Sequence, residues 1–458
     1  MSDIDIVAWE LSELFRKHRA DYMEARLEEG VSSQLLFTGR KLESIGRSVG
    51  AGGNIRVMVN GGWGFVSFNS LTGLGARLEA AINQARLASS GQTRLAEVTP
   101  VNEKFLLEGR ADPVAIPLAM KKDLLDEYNE IIWSTPSIQT SNLGYGDGRK
   151  RVIFLNSEGT FLEQERVDIS FRASAVAARD GEVQQSGISV GSTGNWHDVN
   201  HLHDEIKRLA QHAVALLDAP QVKGGEYTVV LDPVLAGVFV HEAFGHLSES
   251  DFVYENERMR ELMTLGKQFG GPNLNIVDNP AMPNLRGTYR YDDEGVPTAK
   301  NYLISEGKLV GRLHSRETAA IMGEKPTGNA RAIDYSHPPI VRMSNTYIEP
   351  GKATFDDMIA GLKEGLYAKN WYGGTTSMEM FTFSSGETYM IRNGKIAEAV
   401  RPVMLTGNVF STLGNIDMVG NTLGMNQGGG CGKGGQMPLP VSNGSPHIRI
   451  QHCLVGGK

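Results

Sequence analysis

The placement of glycine constrains this chain more than any other feature. From residue 222 onward, segments such as GLYAKNWYGG, SSGETYMIRNGKI, MVGNTLGMNQGGGCGKGGQ and LVGGK set glycines, singly and in pairs, among Ile, Val, Met and Phe. Punctuation at that interval interrupts long helices, whereas tight turns between extended runs use glycine's access to positive φ. A flexible linker would carry the glycines without the interleaved apolar residues. The second half is therefore expected to be β-rich, with ordered turns.

Upstream the texture changes. Ile4, Val7, Leu11, Leu14 and Phe15 recur at spacings of three and four, which predicts an amphipathic helix over 4–18. From Tyr22 to Asn69, short runs punctuated by Gly read as two hairpins, SSQLLFTGRKLESIGRS and NIRVMVNGGWGFVSFN, and Leu71 to Ser89 reads as a closing helix. A similar order recurs, with strands from Lys150, a helix over 204–217 and a further helix over 120–133, so the first half carries a weak internal duplication. The Pro- and charge-containing segment from Ala96 to Pro117 links its two parts. The sharpest boundary is DAPQVKGGE at 218–226, where Pro and paired Gly stop a helix before the strand YTVVLD. The expected class is α+β in two domains: residues 1–221, sheets with flanking helices, and residues 222–458, the β-rich unit.

Several functions are excluded by composition. Formal charge is −8, from 45 Lys and Arg against 53 Asp and Glu, and no run of five basic residues offers a groove for nucleic acid. Two cysteines cannot build a secreted-type disulfide framework, so a reducing compartment is expected. The N-terminus places acids where a signal peptide has bases, and the longest apolar stretches, such as Leu235–Val240, are far short of the roughly 20 residues that span a bilayer. The expectation is a soluble cytoplasmic protein without a membrane or a direct nucleic-acid partner.

The chemistry concentrates in DPVLAGVFVHEAFGH. Asp232 is a helix cap, Pro233 suits the first helical position, and Val234 and Val238 lie on the stripe that leads to His241. A buried imidazole beside Glu242 calls for a partner, and a metal would serve. Zinc peptidases use HExxH, whose spacing puts both imidazoles on one helix face. Here His241 and His246 are five apart, about 140° on an ideal helix. Either the helix ends near Gly245 or it takes a π-type turn, and Gly245 eases both. Otherwise these are two unrelated histidines. A zinc site also needs a third protein ligand. Cys431, in a glycine loop, is placed for that, whereas Cys453, in the apolar run IRIQHCLV, reads as a core residue. His197, His201 and His203 also sit at close spacing, but they lack an acid placed to activate water. Asp292, Asp293 and Glu294 read either as turn acids or as lining for a site.

HEAFGHLSESDF, with DDEGVP at 292–297, PTGNAR at 326–331, RMSNTYIEPGK at 342–352, MVGN at 418–421, CGKGGQ at 431–436 and the terminal VGGK, resembles the TldD branch of the TldD/PmbA (modulator of DNA gyrase) family. The resemblance covers nearly all of the second domain in order, and the first more loosely. It implies a zinc metallopeptidase in which His241, His246 and Cys431 hold Zn2+ and Glu242 is catalytic, taking a proton from water and passing it to the leaving amine. It further implies extended or unfolded peptide substrates, and a dimer, either with itself or with a TldE/PmbA-like subunit, which in that family lacks the metal motif. Any role in gyrase function would be indirect. The alternative from another class is a non-catalytic peptide-binding or scaffold subunit with structural zinc.

Overall fold

In the computed structural model, residues 3–89, 91, 93–107 and 112–456 are described. The first helix, α1 (Asp3–Lys17), buries Ile4, Val7, Ala8, Leu11 and Phe15, the predicted stripe save for Leu14. Three antiparallel strands follow, β1 (Tyr22–Thr38), β2 (Lys41–Val59) and β3 (Gly62–Phe68), closed by α2 (Leu74–Leu87). The two predicted hairpins are both present and share β2. Their turns fall at Gly39 and at Asn60–Gly61, all three in the left-handed region. Glycines 46 and 50, expected to punctuate short runs, lie inside the 19-residue β2 instead. Pairing with β1 holds this segment extended where its own propensity is weak.

A short strand, β4 (Asn102–Phe105), comes from the linking segment, of which residues 108–111 lie outside the described residues. The order helix, three-strand meander, helix then repeats with α3 (Leu118–Trp133), β5 (Ile138–Asn156), β6 (Phe161–Arg179), β7 (Glu182–Ser192), a single turn α4 (His197–Asn200) and α5 (His203–Ala215). All seven strands form one sheet in the order β3-β2-β1-β5-β6-β4, with β7 also on β6 and only β4 parallel to its neighbour. Two apolar clusters cover it, one beneath α1 and α2, the other beneath α3 and α5.

The second half centres on β8 (Gly225–Leu231) and α6 (Pro233–Val240). Beyond the terminal strand's last described residue, Gly456, the end of VGGK lies outside the described residues. Strand β8 lies between Glu364–Ser377, parallel to it, and the antiparallel Ile448–Gly456. Met404–Asn408 and Met380–Arg392 complete the path, and Met380–Arg392 pairs back to Glu364–Ser377, closing the sheet on itself. Leu235 and Phe239 of α6 pack against Phe381, Phe383, Leu405, Ile450 and Cys453 of this sheet. On its other side α6 meets the strand Ser442–Ser445 of a six-stranded sheet. The approach there is so close that a Cβ on Gly237 would lie 2.8 Å from the Gly444 nitrogen. The helix is thus wedged between two sheets with almost no freedom to shift. No helix among the described residues is long and apolar enough to cross a membrane.

The two halves meet along a buried ionic seam, and here Asp292, Asp293 and Glu294 find their use. Arg56 of β2 donates to Glu294 Oε1 at 2.7 Å and pairs with Glu24 at 2.6 Å. Asp293 takes Arg26 on one oxygen and Arg166 on the other, each at 2.9 Å. Asp292 closes its own turn by accepting from the Glu294 and Val296 amides. The acids join the two halves. Losing one partner of such a pair costs about 3–5 kcal/mol, because the other is left as an uncompensated buried charge.

Candidate metal centre

Asp232 caps α6 by accepting from the Leu235 amide at 2.8 Å, with Pro233 in the first turn, as its sequence predicts. Burial pushes the Asp232 carboxyl up to about 6, against the amides of Leu235 and Asn370 that favour the charged form. At the other end the helix does not stop. Residues His241–Gly245 form one π turn, in which the His246 amide donates to the His241 carbonyl, and a short 3₁₀ turn follows over His246–Ser248. An i to i+5 bond brings the fifth residue above the first, so the extra residue in HExxxH is absorbed and the two imidazoles come together, ring centroids 5.3 Å apart. Gly245 itself keeps ordinary helical angles, φ −56° and ψ −50°. What it provides is space, since a Cβ there would meet Met343 Sδ at 2.0 Å.

Cys431 reaches the histidines from a distant part of the chain. It lies on a strand, Gly430–Lys433, and not in the expected loop. That strand pairs with Gln436–Pro440 across the turn at Gly434 and Gly435, both with positive φ. The fully buried Arg342 pins the hairpin by donating to the Cys431 carbonyl at 2.8 Å and to the Gln436 carbonyl at 3.2 Å. Cys431 Sγ is 3.5 Å from His246 Nε2, and one donor atom from each of His241, His246 and Cys431 lies within 4.8 Å of the others. Among the described residues this is the one cluster of three or more His, Cys, Asp or Glu side chains with the spacing to hold a metal ion.

The electrostatics suit that donor set. Burial pushes the Cys431 thiol up, but His241 and His246 outweigh it and hold the group at about 5, a thiolate at neutral pH. Burial pulls both imidazoles down, and this too is overcome: for His241 by Cys431 and Glu242, for His246 by Glu249 and Cys431. His241 Nδ1 is buried and has no hydrogen-bond partner. Two imidazoles held protonated by the anions around them, the Cys431 thiolate among these, and one with an orphaned ring nitrogen, fit a divalent cation that would replace those protons. Glu242 stands at the open side, its side chain about one-third exposed and Oε2 3.9 Å from His246 Nε2.

Two residues inside the quoted motifs, Glu249 and Lys433, draw no assignment from the sequence. Glu249 is fully buried and accepts from His246 Nδ1 at 3.0 Å, and Lys433 meets it at 3.0 Å. Burial pushes the Glu249 carboxyl up, yet Lys433 and His246 bring it down to about 2. The other candidates lie elsewhere. His197 and His201 meet edge to face and His203 pairs with Glu127 at 3.1 Å, with no thiol in the group. Cys453 is buried against α6 in the closed sheet.

Two imidazoles and a thiolate are a donor set that can hold a metal ion, and the comparisons with known proteins point to a family of metallopeptidases. Residues 224–457 match the family described as PmbA/TldA metallopeptidase C-terminal domain, residues 23–89 its domain 1 and residues 111–217 its central domain. The chain is 46% identical over 452 residues to a metalloprotease of Synechocystis, covering 98% of this chain and 97% of the relative. It is 33% identical over 450 residues to a protein of Saccharolobus solfataricus named zinc metalloprotease TldD homolog, covering 96% and 97%. The solved structure of TldE from Thermococcus kodakarensis has the same fold, with a TM-score of 0.78 at 17% identity over 98% of this chain and all of that one. This chain belongs to the TldD/PmbA metallopeptidase family.

Proposed function

We propose that this protein is a zinc-dependent peptidase that cleaves extended or unfolded peptides, with His241, His246 and Cys431 as the metal ligands and Glu242 as the general base. The observation that carries the reading is the convergence of exactly three donors beside a carboxylate on the open side. Three protein ligands leave a position for water, the arrangement of catalytic zinc, whereas a structural site closes with four. Zinc held there supplies Lewis acidity and lowers the pKa of water at its open position. The rest falls to the chain. Glu242 Oε2 accepts the proton of the attacking water and delivers it to the leaving amine, Glu249 orients the His246 ring through Nδ1, and the Cys431 thiolate reduces the net charge of the centre.

The name of the zinc metalloprotease relative supports the choice of metal. The shared fold with TldE supports assembly as a dimer, with a second copy or with a TldE/PmbA-like subunit, so that only extended chain reaches the site. The reading places the protein in the cytoplasm and divides it at residue 222 into a supporting unit and a catalytic one. The test is metal analysis of the purified protein, alone and with such a subunit, beside hydrolysis of an unstructured peptide with and without chelator. Glu242→Gln should keep zinc near stoichiometric while hydrolysis falls by about 10²-fold or more. Full activity in that variant, or in the chelated enzyme, would sink the mechanism, and four protein ligands on the zinc of the unaltered protein, in place of three and water, would favour the scaffold alternative.

A further inference from the structure

One buried carboxylate stands behind two of the three donors. Glu249 Oε2 receives the His246 Nδ1 atom and the Lys433 ammonium, each at 3.0 Å. Lys433 lies two residues beyond Cys431 on the same short strand, and Glu249 three residues beyond His246. The ammonium is held on other sides by Asp251 Oδ1 at 2.6 Å and the Val341 carbonyl at 2.9 Å. Two segments separated by 185 residues in the chain, one bearing the thiol and the other the second imidazole, are thereby joined through a single carboxylate directly behind the donors.

We propose that Glu249 and Lys433 are positioning residues of the metal centre. Glu249 fixes the His246 ring so that Nε2 faces Cys431 Sγ, and Lys433, gripped by the same carboxylate, fixes the strand so that Sγ stays in reach. The proposal rests on the peptidase reading above. A cysteine on a two-stranded hairpin whose turn is Gly-Gly has little local stiffness of its own. Arg342 holds the Cys431 carbonyl from one side. The Lys433 clamp supplies the second point of attachment, and two points set where a side chain between them can stand. Partners behind a ligand commonly change metal affinity by 10- to 100-fold, whereas an ion pair that merely steadied the hairpin would alter the melting of the metal-free protein and leave the affinity of the folded fraction unchanged.

The experiment measures zinc affinity by competition with a chromogenic chelator, and the thiolate-to-metal absorption of the cobalt-substituted protein, in Lys433→Met, Glu249→Gln and the double variant. Lys433→Met keeps the aliphatic stem, and Glu249→Gln keeps an acceptor for His246 Nδ1, so one reports if the other fails to fold. Each single variant should weaken zinc by about 10- to 100-fold and shift the cobalt band, with the metal-free melting temperature little changed. The double variant should be within about threefold of the weaker single one, since both act through one contact. Affinity within threefold of the unaltered protein in both single variants, or losses that multiply in the double, would overturn the proposal. Cys431→Ala serves as the reference: zinc retained there defeats the ligand assignment itself, while zinc lost there and kept in Lys433→Met defeats only the positioning role.

Discussion

Cys431 and Cys453 are the two thiols of the chain, 2% and 4% exposed, and the fold holds them at opposite ends of the acidity scale. Around Cys453 are Leu231, Phe239, Phe381, Leu405 and Ile450, and burial alone pushes its thiol up to about 12. Around Cys431 are two imidazoles, which outweigh an equally strong burial and bring it to about 5. Helix α6 separates the two environments, with Leu235 and Phe239 turned to one thiol and its C-terminal extension carrying His241 to the other. Depth of burial thus says nothing about whether a cysteine is reactive. The nearest charges decide it.

The contrast is largest in a thiolate titration followed at 240 nm on the metal-free protein. One thiolate should form near pH 5 and the other should not appear until the protein is near pH 12. The low step should vanish in Cys431→Ala and persist in Cys453→Ala. Two thiols that titrate together would break the comparison.

Function should separate them next. Cys431→Ala should lose zinc and hydrolysis while circular dichroism shows the fold intact, because a chain of this size does not depend on one ion for its core. Cys453→Ala should keep both and cost about 1 kcal/mol of packing, read from its denaturant midpoint. Zinc that follows Cys453 and ignores Cys431 would reverse the assignment.

The smallest displacement from a group's ordinary acidity sits at the start of the helix between them. Asp232 is buried like Cys453 and hydrogen-bonded like Cys431, but no cation dominates its surroundings, and its carboxyl rises from 3.8 to about 6. A carboxyl whose folded pKa exceeds its unfolded one binds more protons when folded, so its contribution is greatest below pH 4 and declines as pH rises to about 6. The decline amounts to about 3 kcal/mol. Asp232→Asn retains an Oδ1 acceptor for the Leu235 and Asn370 amides and should gain that amount relative to the unaltered protein between pH 4 and pH 7, measured as the change in urea midpoint difference. An identical pH dependence in the two proteins would contradict it.

Much of the site was legible because its signals are local. Asp232 with Pro233 announces the helix start, and the five-residue interval between His241 and His246 predicts either a stop or a π turn, of which the π turn is present. Cys431 stood out by elimination against Cys453. Glu249 and Lys433 did not, because their meeting depends on a contact across the fold that no periodicity encodes. The same holds for Asp293 and Glu294. Their turn is visible in sequence, but the arginines that meet them belong to β1, β2 and β6. The long strands escaped for a different reason: glycines 46 and 50 look like stops locally and are overruled by pairing with β1.

The ionic seam also sets a timetable for synthesis. Arg56 leaves the ribosome 238 residues ahead of Glu294, a lag on the order of tens of seconds at about 5–20 residues per second. During that interval Arg56 and Arg26 have carboxylates of their own half beside them, Glu24 and Glu28, so the face that waits carries paired charge in place of an oily underside. The acidic turn adds a second carboxylate to each, Glu294 to Arg56 and Asp293 to Arg26, so the joint closes by completing pairs that the first half has already begun.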